Sequence, residues 1–400
     1  MSEAAEEYGG KGPILPTLII SISAIDPPSL IISISLIEVA SAFDVSVGLA
    51  GQIRSAGSVL AIVAALAMGV LSVRYSYKSL LLGGLLVNLV SSICCALAPS
   101  FVLLVACFSV MGSVTSLVTP MVFSYIGECY PGERRAQVVG TLTSLRTVSY
   151  LLMVQLIGLV VGLWGWRGAF LLLAAPMTIL GLALSLRVLP GIRGKENPGR
   201  VSLIEGYRGV LASRSAVACL LGNMLAGGAW AGGIIVYTVT YLREAFLLPR
   251  SEASNVFSGL IIGIIAGNYL GGPIIKRLGG KRVMVVSCLL TGILEACYMN
   301  SPGIQLTVAI VIVMSVLAGI VMTSTNTLLL DQVPLYRGTV TSVNSAVSQL
   351  GVALGAALGG LVLQLQGWGT VGVVFGAMHV VASIVYYVGV QNGEREGREV

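Results

Sequence analysis

Charge is what this chain most lacks. Only 10% of its 400 residues are Asp, Glu, Lys or Arg, against roughly a quarter in ordinary soluble domains. So few charges cannot clothe a water-soluble fold of this length. Histidine is nearly absent too: His379 stands alone. That excludes histidine-built metal centres and leaves histidine-dependent catalysis a single residue to work with. The seven cysteines (Cys94, Cys95, Cys107, Cys129, Cys219, Cys288 and Cys297) lie on or beside apolar runs, without an extracellular pairing pattern or a paired C-x-x-C ligand set. They read as small apolar packing residues. No G-x-x-x-x-G-K-[ST] loop occurs, so ATP drive has no support. A cleaved leader is not expected either, because Glu3, Glu6 and Glu7 stand where a leader is basic.

Apolar residues fill the space: 56% of the chain is hydrophobic and the mean hydropathy is +0.94. A membrane span needs about 20 apolar residues. Such runs fall near 14–40, 47–73, 79–98, 101–127, 136–163, 168–189, 215–242, 252–275, 283–300, 304–330, 338–365 and 369–390. Backbone groups in lipid must be satisfied within their own segment, so the runs are helices; they are too long and too uniformly apolar for barrel strands. The expected fold is an all-α membrane protein with twelve transmembrane helices.

The net charge of +6 sits in short loops between these runs. One set of loops holds Lys11, Arg74, Lys78, Arg134, Arg135, Arg193, Lys195, Arg200, Arg208 with the flanking Arg187 and Arg214, Lys276, Arg277, Lys281, Arg282, Arg337, Arg395 and Arg398; the other holds only Arg167, Arg243 and Arg250. The positive-inside rule makes the first set cytoplasmic and puts both termini inside a multi-pass protein of the cell (plasma) membrane. This basic balance orients the chain in a bilayer and does not point to nucleic acid. The expected organisation is a cytoplasmic tail (1–13), a six-helix bundle (14–189), a Gly-, Pro- and charge-rich cytoplasmic linker (190–214), a second six-helix bundle (215–390) and a short tail (391–400).

The two bundles are copies. A constant shift of 203 residues carries Gly69 onto Gly272, Arg74 onto Arg277, Glu128 onto Asp331, Pro131 onto Pro334 and Arg134 onto Arg337. Arg146 falls on Gln349. Apolar helices resemble one another by chance, but loop charges do not keep register that way. Parallel six-helix repeats are a recurring transporter plan.

These same residues carry a resemblance. GVLSVRYSYKSLL (69–81) resembles the loop between helices 2 and 3 of the major facilitator superfamily, and GPIIKRLGGKRV (272–283) is its second copy. YPGERRA (130–136) and VPLYRGT (333–339) resemble the family's P-x-x-R loops, and GWRGAF (165–170) its G-W-R-W-x-F segment. The chain departs from the pattern at Val73 and Lys276, where an acid is usual, and at Ser76; span 5 lacks the proline of many drug antiporters. The resemblance implies a monomeric secondary transporter with no cofactor, two pseudo-symmetric bundles, and spans 2, 5, 8 and 11 along the contact between halves.

Charges at bilayer depth are costly and mark function by default. Asp26 lies roughly 18 Å along the first span and Arg146 roughly 15 Å along the fifth, both near mid-membrane. Pro27 and Pro28 lack the N–H groups that would bond the carbonyls of Ser23 and Ala24, so a polar break with two free carbonyls is expected beside Asp26. Arg146 needs an anion, and Asp26 is the carboxylate at matching depth in its half. Asp26, Arg146 and the mate Gln349 are therefore the candidates for proton coupling or substrate binding; the alternative is a fixed structural pair beside a kink. Arg54, Asn223, Trp230, Tyr237 and Asn326 are candidate cavity residues, although snorkelling accounts for Arg54 and core packing for the others. Arg74 with Glu128, and Arg277 with Asp331, are candidate ion pairs of a cytoplasmic gate. Glu295 and His379, also deep, are expected to form a structural hydrogen bond. Small-residue ridges (Gly57, Ala61, Ala65, Gly69; Gly259, Gly263, Gly267, Gly271; Gly351, Gly355, Gly359) suit either static packing or rocking between halves.

The function these features imply is alternating-access transport of a small organic solute, with proton-coupled efflux drawn from the resemblance. The alternative is uptake or facilitated diffusion of an organic anion. An intramembrane enzyme would have to work through His379 alone, and no soluble sensory domain supports a sensor.

Overall fold

The computed structural model describes residues 13–130, 132–192, 203–332 and 337–391. Twelve helical spans correspond one to one with the expected runs. The first, α1, is in three pieces, Ile14–Ser23, Pro27–Ile34 and Leu36–Ala42. It is followed by α2 (Val47–Arg74), α3 (Tyr77–Leu97) and α4 (Phe101–Cys129). Helices α5 and α6 run from Gly132 to Val188 with a single interruption at Gly165, whose φ of 71° and ψ of 176° turn the chain between them. Only glycine enters that backbone region readily. Beyond the turn, α6 contains a π-helical stretch, Phe170–Ala174. The linker carries a short helix of its own, Leu203–Ala212.

In the second half, α7 comprises Arg214–Gly227, a π-helical stretch Gly228–Ile234, and Ile235–Ala245. Then come α8 (Arg250–Leu278), α9 (Gly280–Tyr298), α10 (Ile304–Gln332), α11 (Arg337–Gln366) and α12 (Trp368–Gly389). Among the described residues ten stretches are long and apolar enough to cross a membrane. One of them, 137–188, is the α5–α6 pair. Helix α9, which carries Lys281, Arg282 and Glu295 in its 19 residues, completes the twelve. The outward faces are greasy. On α5, Leu152, Leu156, Leu159 and Leu163 follow helical spacing and are all exposed, as a lipid-facing stripe requires.

The chain divides into two compact units, Met1–Val45 with Ala56–Asn197, and Ser46–Ser55 with Pro198–Val400. In the first unit, the opening piece of α1 packs on α4, α5 and α6, while α3 lies against α4 and α6. Tyr125 donates to the carbonyl of Pro190 (2.7 Å), and Arg167 donates to the carbonyl of Ala98 at the end of α3 (2.7 Å). In the second unit, α9 pairs with α12 and α10, α8 with α10, and α7 with α11 and α12. The first turns of α2 also belong here: Gln52 Nε2 donates to Ala357 O (3.0 Å) and Ser55 Oγ to Ala353 O (2.9 Å).

The glycine ridges are used for close packing inside each unit. Gly57 of α2 lies against Gly112 of α4, Gly267 of α8 against Val316 and Gly319 of α10, and Gly351 and Gly355 of α11 against Met224 and Gly228 of α7. A β-carbon on Gly112, Gly267, Gly351 or Gly355 would collide with a neighbouring backbone, and one on Gly57 would press on the Phe108 ring.

Candidate functional site

The break in α1 is where sequence and structure meet most directly. The first helical piece stops at Ser23, and the next begins with Pro27 and Pro28 in its first two positions. Proline is well tolerated there, because the opening N–H groups of a helix have no internal partner to lose. The cost falls on the preceding carbonyls. Contrary to the expectation from sequence, neither is left free. Ser23 O accepts from the backbone N–H of Asp26 (3.3 Å). Ala24 O accepts from Asn88 Nδ2 of α3 (3.1 Å), and the same nitrogen donates to Thr178 Oγ1 of α6 (2.9 Å). Buried polar backbone groups are almost always paired, and a neighbouring side-chain amide fulfils that requirement here.

Asp26 occupies the N-cap position of Pro27–Ile34, yet its carboxylate makes no capping bond. It faces α5 instead. Arg146 Nε donates to Oδ2 (2.9 Å) and Nη2 to Oδ1 (2.7 Å), a bidentate fork on both carboxylate oxygens. The side chains are 12% and 30% exposed for Asp26 and Arg146 respectively, so the pair is partly open. Two parallel charge-assisted bonds fix both distance and plane. Arginine stays charged under all practical conditions. Any event that neutralises the carboxylate therefore releases a permanent cation in a mostly apolar setting. A proton on Asp26 would do this, and an anion arriving at Arg146 would compete for the same fork.

The other candidates are spread over both units. Gln349 lies half-buried on α11. Asn223 of α7 donates to Asn344 Oδ1 and Ser348 Oγ of α11, each at 2.8 Å. Trp230 is half-buried in the π-helical stretch of α7. Tyr237 is fully buried, donates to Ala356 O (3.0 Å) and stacks on Phe375, which makes it a core residue of the second unit. Asn326 is exposed on α10, and Arg54 is half-buried in the early turns of α2.

Of the gate residues, Arg74 ends α2 exposed and Glu128 lies half-buried in the last turn of α4. Arg277 is exposed at the end of α8, while the Asp331 side chain lies outside the described part.

Deep in the second unit, His379 Nδ1 and Glu295 Oε2 share a hydrogen bond of 2.7 Å, joining α12 to α9. Both residues are almost completely buried. Gly292 and Gly376 bring the two backbones together beside them, and Cys288 Sγ donates to the carbonyl of His379 (3.3 Å).

Sequence reasoning missed Asn88, Thr178 and the Ser21–Ser185 contact (2.9 Å) that ties α1 to α6. A signal for Asn88 existed. Two prolines in a buried helix leave two acceptors, and a side-chain amide on a neighbouring span is an obvious donor.

Comparison with known proteins matches this architecture. The model of the Major Facilitator Superfamily matches residues 17–241 and 219–399. An MFS-type transporter of Bacillus subtilis (strain 168), YceJ, is 26% identical over 360 residues, which is 88% of this chain and 90% of the relative. The methylenomycin A resistance protein of the same organism is 29% identical over 184 residues, 46% of this chain and 38% of that protein. Among solved structures, the D-xylose-proton symporter superposes with a TM-score of 0.81 at 13% identity, covering 96% of this chain and 98% of that one. With twelve spans, a duplicated six-helix plan and a family match over nearly its whole length, this chain belongs to the Major Facilitator Superfamily of integral membrane transporters.

Proposed function

We propose that this protein is a secondary active transporter that exports a small organic solute by alternating access, driven by protons bound at Asp26. The observation that carries the reading is the bidentate Asp26–Arg146 pair beside the break in α1. A titratable acid held by a permanent cation at the middle of a membrane is costly to keep and serves as a coupling device. Protonation of Asp26 frees Arg146, and deprotonation recaptures it, so proton binding and the state of the site are linked. The efflux direction draws on partial similarity to a methylenomycin A resistance protein. Proton coupling draws on the fold shared with the D-xylose-proton symporter.

The test uses the full chain reconstituted in vesicles. Asp26→Asn should abolish flux driven by a proton gradient while retaining substrate exchange without one. Normal driven flux in Asp26→Asn would sink the coupling role. A second reading, uptake or facilitated diffusion of an organic anion, is favoured by the partial exposure of Arg146. It predicts that Arg146→Gln damages substrate binding more than Asp26→Asn does.

A further inference from the structure

We infer that Asn88 is a positioning residue for the coupling carboxylate: by holding the Ala24 carbonyl orphaned by Pro28, it fixes the break in α1 that aims Asp26 at Arg146. The inference rests on the reading of Asp26 given above. Nothing in the family match or in the resemblance of the loops assigns a role to this residue.

Pro28 removes the N–H that would have tied Ala24 O into the helix. A buried carbonyl without a donor destabilises the fold, so the chain either finds a donor or shifts until water reaches the group. Asn88 is fully buried on α3, and its Nδ2 has two hydrogens. One goes to Ala24 O and the other to Thr178 Oγ1. Thr178 in turn donates to Ala174 O at 2.7 Å, where the π-helical stretch of α6 ends. The break is thus anchored through a single amide to two neighbouring helices. Asp26 follows Ala24 by two residues, and its own N–H is the donor to Ser23 O. The direction of its carboxylate is therefore set by how the Ser23–Asp26 segment is held. Asn88 holds it from one side, and Arg146 donates to its carboxylate on the other.

Ordinary core packing explains part of this pattern less well. Asn88 Oδ1 has no hydrogen-bond partner in its buried position, and neither does Ser92 Oγ one turn further on. Leucine would fill such a site without that desolvation cost. An amide is retained where only its donor function can do the work, and that donor is directed at the break.

The experiment reads the environment of Asp26 directly. A carbodiimide modifies membrane-buried carboxyls only in their neutral form, and mass spectrometry of the peptide containing Asp26 measures the extent. In the reconstituted full chain, Asn88→Leu should raise labelling of Asp26 at fixed pH and lower proton-driven flux, each by about tenfold, the scale on which one buried hydrogen bond acts. Substrate exchange without a gradient should fall less. Thr178→Val, which removes only the second anchor, should move both readouts in the same direction by a smaller factor, and Thr178→Ser should restore them. Thr178→Val also decides the matter if Asn88→Leu does not fold. Unchanged labelling and an unchanged pH profile of flux in the folded variants would overturn the inference. Failure of the coupling reading looks different: Asp26→Asn would then transport normally, while labelling would still report whether Asn88 orients the carboxylate.

Discussion

The same repeat position is built from opposite materials in the two halves. A shift of 203 residues carries Asp26, Pro27 and Pro28 onto Ala229, Trp230 and Ala231, and Arg146 onto Gln349. In the first half α1 is broken outright, and a charged fork spans to α5. In the second, α7 continues unbroken through the π-helical stretch Gly228–Ile234, and bare backbone meets α11 at Gly351 and Gly355. A bundle that tolerates an irregular helix at this point can use it for charge chemistry or for close packing. The duplicated chain has done one in each copy.

A second contrast concerns the clasp between the third and sixth helices of each half. In the first it is neutral, Asn88 to Thr178, and also reaches the α1 break. In the second it is ionisable, Glu295 to His379, and Glu295 Oε1 is left buried without a partner. The Glu295 mate under the repeat is Ser92, one turn beyond Asn88. The neutral clasp serves the break, whereas the ionisable one ties two helices whose backbones already touch at Gly292 and Gly376.

The largest expected effect comes from making the halves alike. Arg146→Gln copies the second half into the first. It leaves Asp26 without its cation, and proton-driven flux should fall to background. Full burial of an unpaired partner costs about 3–5 kcal/mol; with Arg146 partly exposed, a loss of about 2 kcal/mol is the better expectation once solvent screening is allowed for. Thermal unfolding of the purified protein and vesicle flux check the two parts. Wild-type flux in a folded Arg146→Gln protein would mean that the charged fork is no more functional than its uncharged mate.

Much of this contrast is legible in the sequence alone. Span positions follow from apolar length, and the duplication follows from loop charges that keep register. The Asp26–Arg146 pair was within reach because Arg146 must find an anion and its half offers one at that depth. The fate of the freed carbonyls was not legible. Their rescue depends on which face of α3 meets α1, and Asn88 sits in an otherwise apolar helix with no periodic mark of its own. The π-helical stretches also escaped, since Gly228, Gly232 and Gly233 read equally well as a regular close-packing surface. Nor does sequence tell that Tyr237 is sealed in the core, because an amphipathic ring suits a cavity wall and a packed interior alike.

A middle-sized effect should separate the two clasps. His379→Leu leaves a buried carboxyl without its donor, and Glu295→Leu leaves an imidazole without its acceptor. Each single change should cost about 2 kcal/mol, while the double change to apolar residues should recover most of that loss. Flux in the double variant should stay close to wild type if the pair is structural. Loss of driven flux in a stable double variant would turn the second clasp into a proton relay and remove the asymmetry drawn above.

The smallest effect tests the packing side of the comparison. Gly355 lies where a β-carbon would strike the carbonyl of Gly228, at the mouth of the π-helical stretch in α7. Its repeat mate is Leu152, which is 59% exposed on the outer face of α5. Gly355→Ala should force α7 and α11 apart and cost about 1–3 kcal/mol, the usual range for an overpacked contact. Leu152→Ala removes an exposed side chain and should stay within about 0.5 kcal/mol of wild type. The intrinsic helix preference of alanine over glycine works in favour of Gly355→Ala by about 1 kcal/mol, so a net loss there is a conservative sign of collision. Matched unfolding curves of the two variants decide the point. If Gly355→Ala proves as stable as Leu152→Ala, the approach of the two backbones is looser than a glycine contact. The second half would then have no special need for its glycines.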